Sequence, residues 1–232
     1  MSTIYEPIEI VANGFKEILN DMTFVGGATV VMYLDSPGAQ VPRPTEDVDC
    51  VVEMSSWLSF NELESQLTAL GFRHDTRPGS PICRWIFQGV AVDIMPTDPN
   101  LLGFSNKWYD DGIRYRENRT LPNGIKIYVF SLPYFLASKL AASESRGGDD
   151  IRFDPDIEDI LLALDGNQDP VARVKNSENS VREYIAEALK RIHSSNLFED
   201  LIDGALGREG IARVKRIKSI FQELILPGKD QP

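Results

Sequence analysis

The amino-acid sequence predicts an α+β protein in which a mixed sheet with flanking helices is followed by a helical bundle. Short runs of β-branched residues alternate with helical patterns up to residue 131, whereas the remainder shows helical periodicity alone. Hydrophobic residues make up 42% of the 232 residues and charged residues 25%, which is typical of a globular protein with a large core. We therefore expect an α/β domain over 1–131, a helical domain over 132–226 and a flexible tail over 227–232.

The first half opens with a helical pattern between Ile8 and Leu19 and continues with strands separated by turn residues. Gly26-Gly27 ends the first strand, and Ala28 to Leu34 is predicted to be the start of a helix. Gly71 ends a later predicted helix. Trp108 to Arg116 is a further candidate helix. The predicted strands are 23–25, 48–53, 83–87, 90–95 and 125–130, with a loop over 35–46.

The second half is predicted to consist of five helices. Asp154-Pro155 is typical of a helix start, with aspartate as the N-cap and proline in the first position. The predicted helices are 132–145, 155–164, 178–193, 196–205 and 208–225.

The charge and the cysteine and histidine counts exclude several classes of protein. A net charge of -11 argues against a nucleic-acid binder that works through a broad basic surface, although a local basic groove remains open. Cys50 and Cys83 have no zinc-site spacing and lie in strand-like runs, so we expect buried free thiols. No apolar run is long enough to cross a membrane, and the N-terminus lacks the layout of a signal peptide, which predicts a cytoplasmic protein.

The most informative segment is the strand that carries Asp47 and Asp49. Side chains alternate across a strand, so these two carboxylates share one face while Val48, Cys50 and Val52 form an apolar face. Two like charges about 4 Å apart repel by about 4 kcal/mol at an effective dielectric constant of about 20. A cation between them would remove that cost, and oxygen ligands suit Mg²⁺ or Mn²⁺. The alternative is a half-exposed strand with solvated acids.

Two further features point to the same chemistry. Gly26-Gly27 lies between a strand and a helix start, where a phosphate can approach the backbone, although a plain tight turn has the same sequence. Asp93 lies in a strand of apolar neighbours, where an unpaired carboxylate is costly, and the alternative there is a buried pair with an arginine such as Arg84. Together these features describe a two-metal phosphoryl or nucleotidyl transfer site.

Two blocks of the sequence resemble the signature of the DNA polymerase β-like nucleotidyltransferases, and most closely the AbiEii/AbiGii toxin-type nucleotidyltransferases. The first block is Gly26-Gly27 followed by Arg43-x-Thr45-x-Asp47-Val48-Asp49, and the second runs from Phe135-Leu-Ala-Ser-Lys139 through Arg146-Gly-Gly-Asp149 to Asp156-Ile-Glu-Asp159. The resemblance covers roughly residues 23 to 165. The chain departs from the family in its longer spacer between Gly27 and Asp47, where residues 35–41 look like a loop insertion.

The resemblance implies transfer of a nucleoside monophosphate from an NTP to an acceptor hydroxyl, with Asp47, Asp49 and Asp93 as catalytic residues and as ligands of Mg²⁺ or Mn²⁺. It also implies a helical domain that closes over the nucleotide. The implied nucleotide-binding residues are Gly26, Gly27, Arg43, Thr45, Lys139, Arg146 and Asp159. Lys139 is assigned to the triphosphate.

The biological role that the resemblance implies is the toxin component of a type IV toxin–antitoxin or phage-defence system. Its acceptor would be a tRNA 3′ end, and its partner a cognate antitoxin. The alternatives are nucleotidylation of a partner protein, transfer to a small molecule, and a non-catalytic nucleotide-binding or antitoxin-like module on the same fold.

Helical periodicity gives independent expectations for the second block. Lys139 falls inside an apolar stripe, so it must snorkel, pair or serve a site, and an ion pair of Asp159 with Lys139 or Arg146 would hold these cations. Asp156 suits a helix N-terminus without any further role. A basic segment near the C-terminus is either a solvated face or a contact for RNA phosphates; its members are Arg208, Arg213, Lys215, Arg216 and Lys218.

Overall fold

The computed structural model describes residues 4–54, 56–146, 150–206 and 210–226, except for the side chain of residue 57. The chain divides into two compact units, one made of Met1–Thr29 and Arg43–Ser131 and the other of Val30–Pro42 and Leu132–Pro232. The predicted tail at 227–232, the Gly-Gly-Asp at 147–149 and Arg208 lie outside the described residues.

The first unit is built on a mixed sheet that contains every strand of the described residues. Two pairs of neighbouring strands, Asp47–Val52 with Val90–Pro96 and Met22–Val25 with Lys126–Val129, are parallel and the other pairs are antiparallel. The strands are β1 (Met22–Val25), β2 (Asp47–Val52), β3 (Arg73–His74), β4 (Arg84–Phe87), β5 (Val90–Pro96), β6 (Glu117–Thr120) and β7 (Lys126–Val129), in the spatial order β3-β4-β5-β2-β1-β7-β6. The β2–β5 pair therefore lies near the centre of the sheet.

Apolar side chains of the strands and of the first helix form the core of this unit. Phe15 stacks on Phe72 with ring centroids 5.0 Å apart, and Phe72 stacks on Phe87 at 4.3 Å. Gly14 allows this packing, because a Cβ there would lie 2.5 Å from the Phe87 ring. The helices of the unit are α1 (Glu6–Phe15), α2 (Trp57–Ala69), α3 (Pro99–Leu102) and α4 (Tyr109–Arg114), with a 3₁₀ helix at Lys16–Asp21.

The second unit is helical throughout its described residues. Asp154 caps the second of its long helices through the backbone N–H of Asp156, and Pro155 occupies the first position, as the sequence predicts. The helices are α5 (Leu132–Arg146), α6 (Pro155–Gly166), α7 (Pro170–Lys175), α8 (Asn179–His193), α9 (Phe198–Leu206) and α10 (Ile211–Ile225), with a 3₁₀ helix at Ile151–Phe153.

The long spacer between the two halves of the first sequence block belongs to this helical unit. The backbone N–H groups of Asp35 and Ser36 both donate to the Gly166 carbonyl, at 3.0 and 2.9 Å, where α6 ends. Asn167 Nδ2 donates to the Tyr33 carbonyl at 3.0 Å. The spacer therefore satisfies carbonyl and amide groups at the C-terminus of α6, which gives the extra residues a structural purpose.

Basic side chains of α10 bind the same end of α6. Arg213 pairs with the buried Asp165 and donates to the Gly38 carbonyl, and Arg216 donates to the carbonyls of Asp165 and Asn167 at 3.2 and 2.5 Å. Lys218, which is also on α10, forms an ion pair with Glu199. Arg213, Arg216 and Lys218 are thus engaged within the unit, which the sequence did not predict, while Lys215 and Arg216 are exposed as on the predicted solvated face. The contact with RNA phosphates stays a prediction.

The predicted α+β fold, a mixed sheet with flanking helices and then a helical region, is confirmed. Gly27–Tyr33 is a 3₁₀ helix instead of the start of an α-helix. Both cysteines are buried and free, as predicted. Among the described residues, no helix combines the length and the apolar character that are needed to cross a membrane.

Candidate active site

Asp47, Asp49 and Asp93 lie on one face of the central β2–β5 pair. Asp47 and Asp49 alternate with Val48 and Cys50, which are fully buried on the opposite face. The parallel register sets Asp49 directly beside Asp93. The sheet therefore brings together the three carboxylates that the sequence singled out, although Asp47 and Asp93 are 46 positions apart in the chain.

The turn after β1 lies against the same carboxylates. Antiparallel pairing sets Val25 opposite Asp49, and the chain then turns at Gly26 with a φ of 71°. A Cβ on Gly26 would lie 1.8 Å from Asp49 Oδ2, so only glycine permits this approach. Thr29, fully buried, holds the turn because its Oγ1 donates to the Gly26 carbonyl at 2.9 Å. Thr29 was not predicted from the sequence, since a lone threonine after a Gly-Gly pair carries no distinctive signal.

Arg84 supplies a positive charge in the middle of this face. It begins β4 directly opposite Asp93, and it forms a bidentate pair through Nε to Oδ1 and Nη2 to Oδ2, both at 2.7 Å. The same Nη2 donates to Asp47 Oδ2 at 2.5 Å. The buried pair of Asp93 with Arg84, which the sequence left as an alternative, is therefore present. The hydrogen bond from Arg84 to Asp47 was not predicted.

The electrostatics of the face follow from this arrangement. Hydrogen bonding to Asp93 holds the pKa of the Arg84 guanidinium above its usual range, so the arginine stays charged. Burial raises the pKa of the Cys83 thiol to about 12 and that of the Cys50 thiol well above its usual value. Both thiols are therefore protonated at neutral pH, the form in which a cysteine is a poor nucleophile.

The three carboxylates have the right chemistry for a divalent ion, but their arrangement does not form a site for one. Three carboxylates on one face have the chemistry that Mg²⁺ or Mn²⁺ prefers. In the part of the chain that the structure describes, however, no three His, Cys, Asp or Glu side chains are grouped so that they could hold a metal ion. Arg84 engages two of the three aspartates, and as arranged the residues do not fit a bound ion.

The second sequence block forms a cluster of its own in the helical unit. Lys139 is 8% exposed, and its Nζ lies 2.9 Å from Asp156 Oδ1 and 2.7 Å from Asp159 Oδ2. The expected ion pair of Asp159 with Lys139 is confirmed, and Asp156, which the sequence left as a helix-terminus charge, is the second partner. Arg146 Nη1 lies 2.7 Å from Asp156 Oδ2 while its side chain remains 57% exposed.

The cluster balances its charges inside the unit. Burial lowers the pKa of Lys139, but the adjacent charges of Asp159 and Asp156 outweigh that effect, so its pKa lies above the usual value. With Arg146, the cluster contains two cations and two anions. Lys139 is therefore charged at neutral pH and doubly paired, whereas much of the Arg146 side chain is exposed to solvent.

The remaining predicted residues lie in the chain segments next to β1 and β2; the face that carries Asp47, Asp49 and Asp93 is here called the acidic face. Gly27 begins the 3₁₀ helix Gly27–Tyr33, directly after the turn at Gly26. Arg43 is exposed and Thr45 is half-buried, both in the loop that leads into β2. Their predicted role in nucleotide binding stays a prediction.

The comparisons with known proteins find similarity to solved structures but not to a family or a curated protein. No protein-family model matches the chain, and the curated proteins contain no significant match. A solved structure of ANT(2″)-Ia in complex with adenylyl-2″-tobramycin is similar to this chain with a TM-score of 0.46 and 15% identity, over 79% of this chain and 95% of the other. A likeness this distant does not indicate a shared function.

Proposed function

We propose that the chain is a nucleotidyltransferase, which moves a nucleoside monophosphate from an NTP to an acceptor hydroxyl. The acceptor oxygen attacks the α-phosphorus, the bond from that phosphorus to the bridging oxygen breaks, pyrophosphate leaves, and the hydroxyl proton passes to water. Such a reaction depends on positioning and on charge compensation, not on a covalent enzyme intermediate.

The observation that carries the proposal is the convergence of Asp47, Asp49 and Asp93 on one sheet face, with the Gly26 turn packed against Asp49. A fold gains no stability from three adjacent carboxylates, because they repel one another. Their order along the chain, after a Gly-Gly turn, is also that of the polymerase β-like signature. A role in transfer of a phosphate-bearing group accounts both for the convergence of the carboxylates and for their order along the chain.

The roles within this face differ. Asp49, packed against the turn, is the residue we place at the reaction centre. Both Asp93 oxygens accept hydrogen bonds from Arg84, so Asp93 is poorly suited to take the hydroxyl proton while that pair holds. A requirement for Mg²⁺ or Mn²⁺ stays a prediction from the resemblance, as do the nucleotide-binding roles of Lys139, Arg146 and Asp159.

The acceptor and the biological role follow from the resemblance alone. The toxin-type branch suggests a tRNA 3′ end as acceptor and a cognate antitoxin as partner. The net charge of -11 favours a protein hydroxyl over RNA to a small degree, since RNA is itself an anion. A small-molecule hydroxyl is the remaining alternative.

A second candidate function is a non-catalytic nucleotide-binding module, and the Arg84 bridge is the observation that favours it. A guanidinium that neutralises Asp47 and Asp93 reduces the charge repulsion that otherwise argues for catalysis. This module would bind a nucleotide and transfer nothing.

Asp49→Asn is expected to lower nucleotidyl transfer at least about 100-fold, because the variant removes one charge from the reaction centre. The measurement uses purified protein, Mg²⁺ or Mn²⁺, and each α-labelled NTP in turn. The acceptors are total tRNA, a cell lysate and a polyhydroxylated small molecule in separate reactions. The labelled product identifies both the nucleotide and the class of acceptor.

Glu46→Gln is the matched control, since it makes the same change of charge three positions earlier at an exposed residue outside the acidic face. It should keep the wild-type rate. Transfer that survives Asp49→Asn would contradict the proposed site. Nucleotide binding without transfer by the wild-type protein would favour the non-catalytic module.

A further inference from the structure

Arg84 is a cation that the protein itself supplies to the acidic face. Its Nη2 donates both to Asp47 Oδ2 and to Asp93 Oδ2, so the two oxygens converge on one nitrogen atom. These aspartates come from different strands, and the guanidinium reaches them from a third. Arg84 therefore holds the position between Asp47 and Asp93 that a cation shared by them would need.

The surroundings make this pair stronger than a surface ion pair of the same unit. The Arg84 side chain is 21% exposed and that of Asp93 is 11% exposed, whereas the side chains of the Arg114–Asp111 pair are 68% and 36% exposed. Charges that are shielded from water interact more strongly than charges at the surface, and a bidentate arginine–carboxylate pair adds fixed geometry. A cation that reaches these carboxylates must displace a well-held guanidinium.

We propose that Arg84 competes with a divalent cation for Asp47 and Asp93, and so limits how tightly the acidic face binds such an ion. The inference rests on the proposed function, in which these carboxylates belong to the reacting face, and on the predicted requirement for a divalent ion. Arg84 is in this sense a positioning residue, because it acts on the two carboxylates and not on the reacting atoms. The bridge explains why carboxylates of suitable chemistry are not grouped as metal ligands.

Arg84→Gln is expected to raise the affinity of the protein for Mn²⁺ alone by at least about tenfold, because it releases two carboxylates from a charged partner. The affinity is measured by isothermal titration calorimetry without nucleotide. The variant should also be less heat-stable than wild type in the absence of Mn²⁺, since Asp93 loses its partner. Saturating Mn²⁺ should then raise its melting temperature more than it raises that of wild type.

Arg114→Gln controls for net charge. It removes one positive charge from the same unit, at an exposed pair with Asp111, and should leave Mn²⁺ affinity unchanged. If the two variants gain affinity equally, the effect is one of overall charge and the inference is wrong. A purely structural role for Arg84 predicts the opposite sign, because a disturbed face would bind Mn²⁺ more weakly.

Arg84→Lys keeps the inference testable if the glutamine variant does not fold. Lysine retains the charge but cannot form the bidentate pair, so its Mn²⁺ affinity should lie above that of wild type. Affinity equal to or below that of wild type would overturn the inference. The readout is Mn²⁺ binding, so the competition can be confirmed even if the protein transfers no nucleotide. If the protein is active but the Arg84 variants bind Mn²⁺ no more tightly than wild type, the competition is refuted and the proposed function is not.

Discussion

Gly26→Ala is expected to abolish most nucleotidyl transfer, with a loss of at least about 100-fold. The added Cβ would lie 1.8 Å from Asp49 Oδ2 and 2.7 Å from Asp49 Cγ, so the carboxylate and the turn cannot keep their present positions together. The backbone at Gly26 also has a φ of 71°, where an alanine is strained by about 1 kcal/mol. Transfer is measured with the same labelled nucleotides, and stability by urea denaturation.

Gly103→Ala separates strain from the clash with Asp49. Gly103 has a φ of 79°, close to that of Gly26, but a Cβ there meets no atom within 4 Å. Its variant should lose a similar amount of stability from backbone strain and keep the wild-type transfer rate. If both variants transfer normally, the close approach of the turn to Asp49 does not matter for activity.

The acidic face and the Gly26 turn show which parts of the site the sequence can and cannot predict. Alternation along Asp47–Val52 correctly indicated which face carries the carboxylates, because period-two patterning is local. The approach of Gly26 to Asp49 depends on β1 pairing with β2 across a spacer of unusual length, and sequence spacing left it open. The anchoring of that spacer on Gly166 is a long-range contact without a local signal.

The same distinction holds for the fold. Most strands and long helices were predictable, since apolar periodicity marks them, and their observed limits differ from prediction by a few residues. The edge strands β3 and β6 were missed because both are short and largely polar, so pairing alone defines them. The arginine partner of Asp93 was a recognised alternative, but its bridge to Asp47 requires the register of three adjacent strands.

Lys139→Met is expected to lower the free energy of unfolding by about 3–5 kcal/mol, the usual cost of removing one partner from a buried ion pair. The variant leaves Asp156 and Asp159 buried beside each other, with Arg146 as the remaining cation in contact with Asp156. Because the folded state raises the pKa of Lys139, its contribution is complete below the unfolded-state value of about 10.4 and is lost only as pH rises through the folded value. The difference from wild type should therefore be constant between about pH 7 and pH 9.

Lys190→Met provides the matched control, because Lys190 is exposed on α8 of the same unit. It should change stability by less than about 0.5 kcal/mol. The comparison also distinguishes the two roles open to Lys139. A lysine that serves only the triphosphate would lose transfer on substitution and keep its stability, whereas a lysine that holds Asp156 and Asp159 would lose stability whether or not a nucleotide is bound. The burial and double pairing of Nζ favour the second outcome, and unchanged stability of Lys139→Met would show that the cluster does not hold the helical unit together.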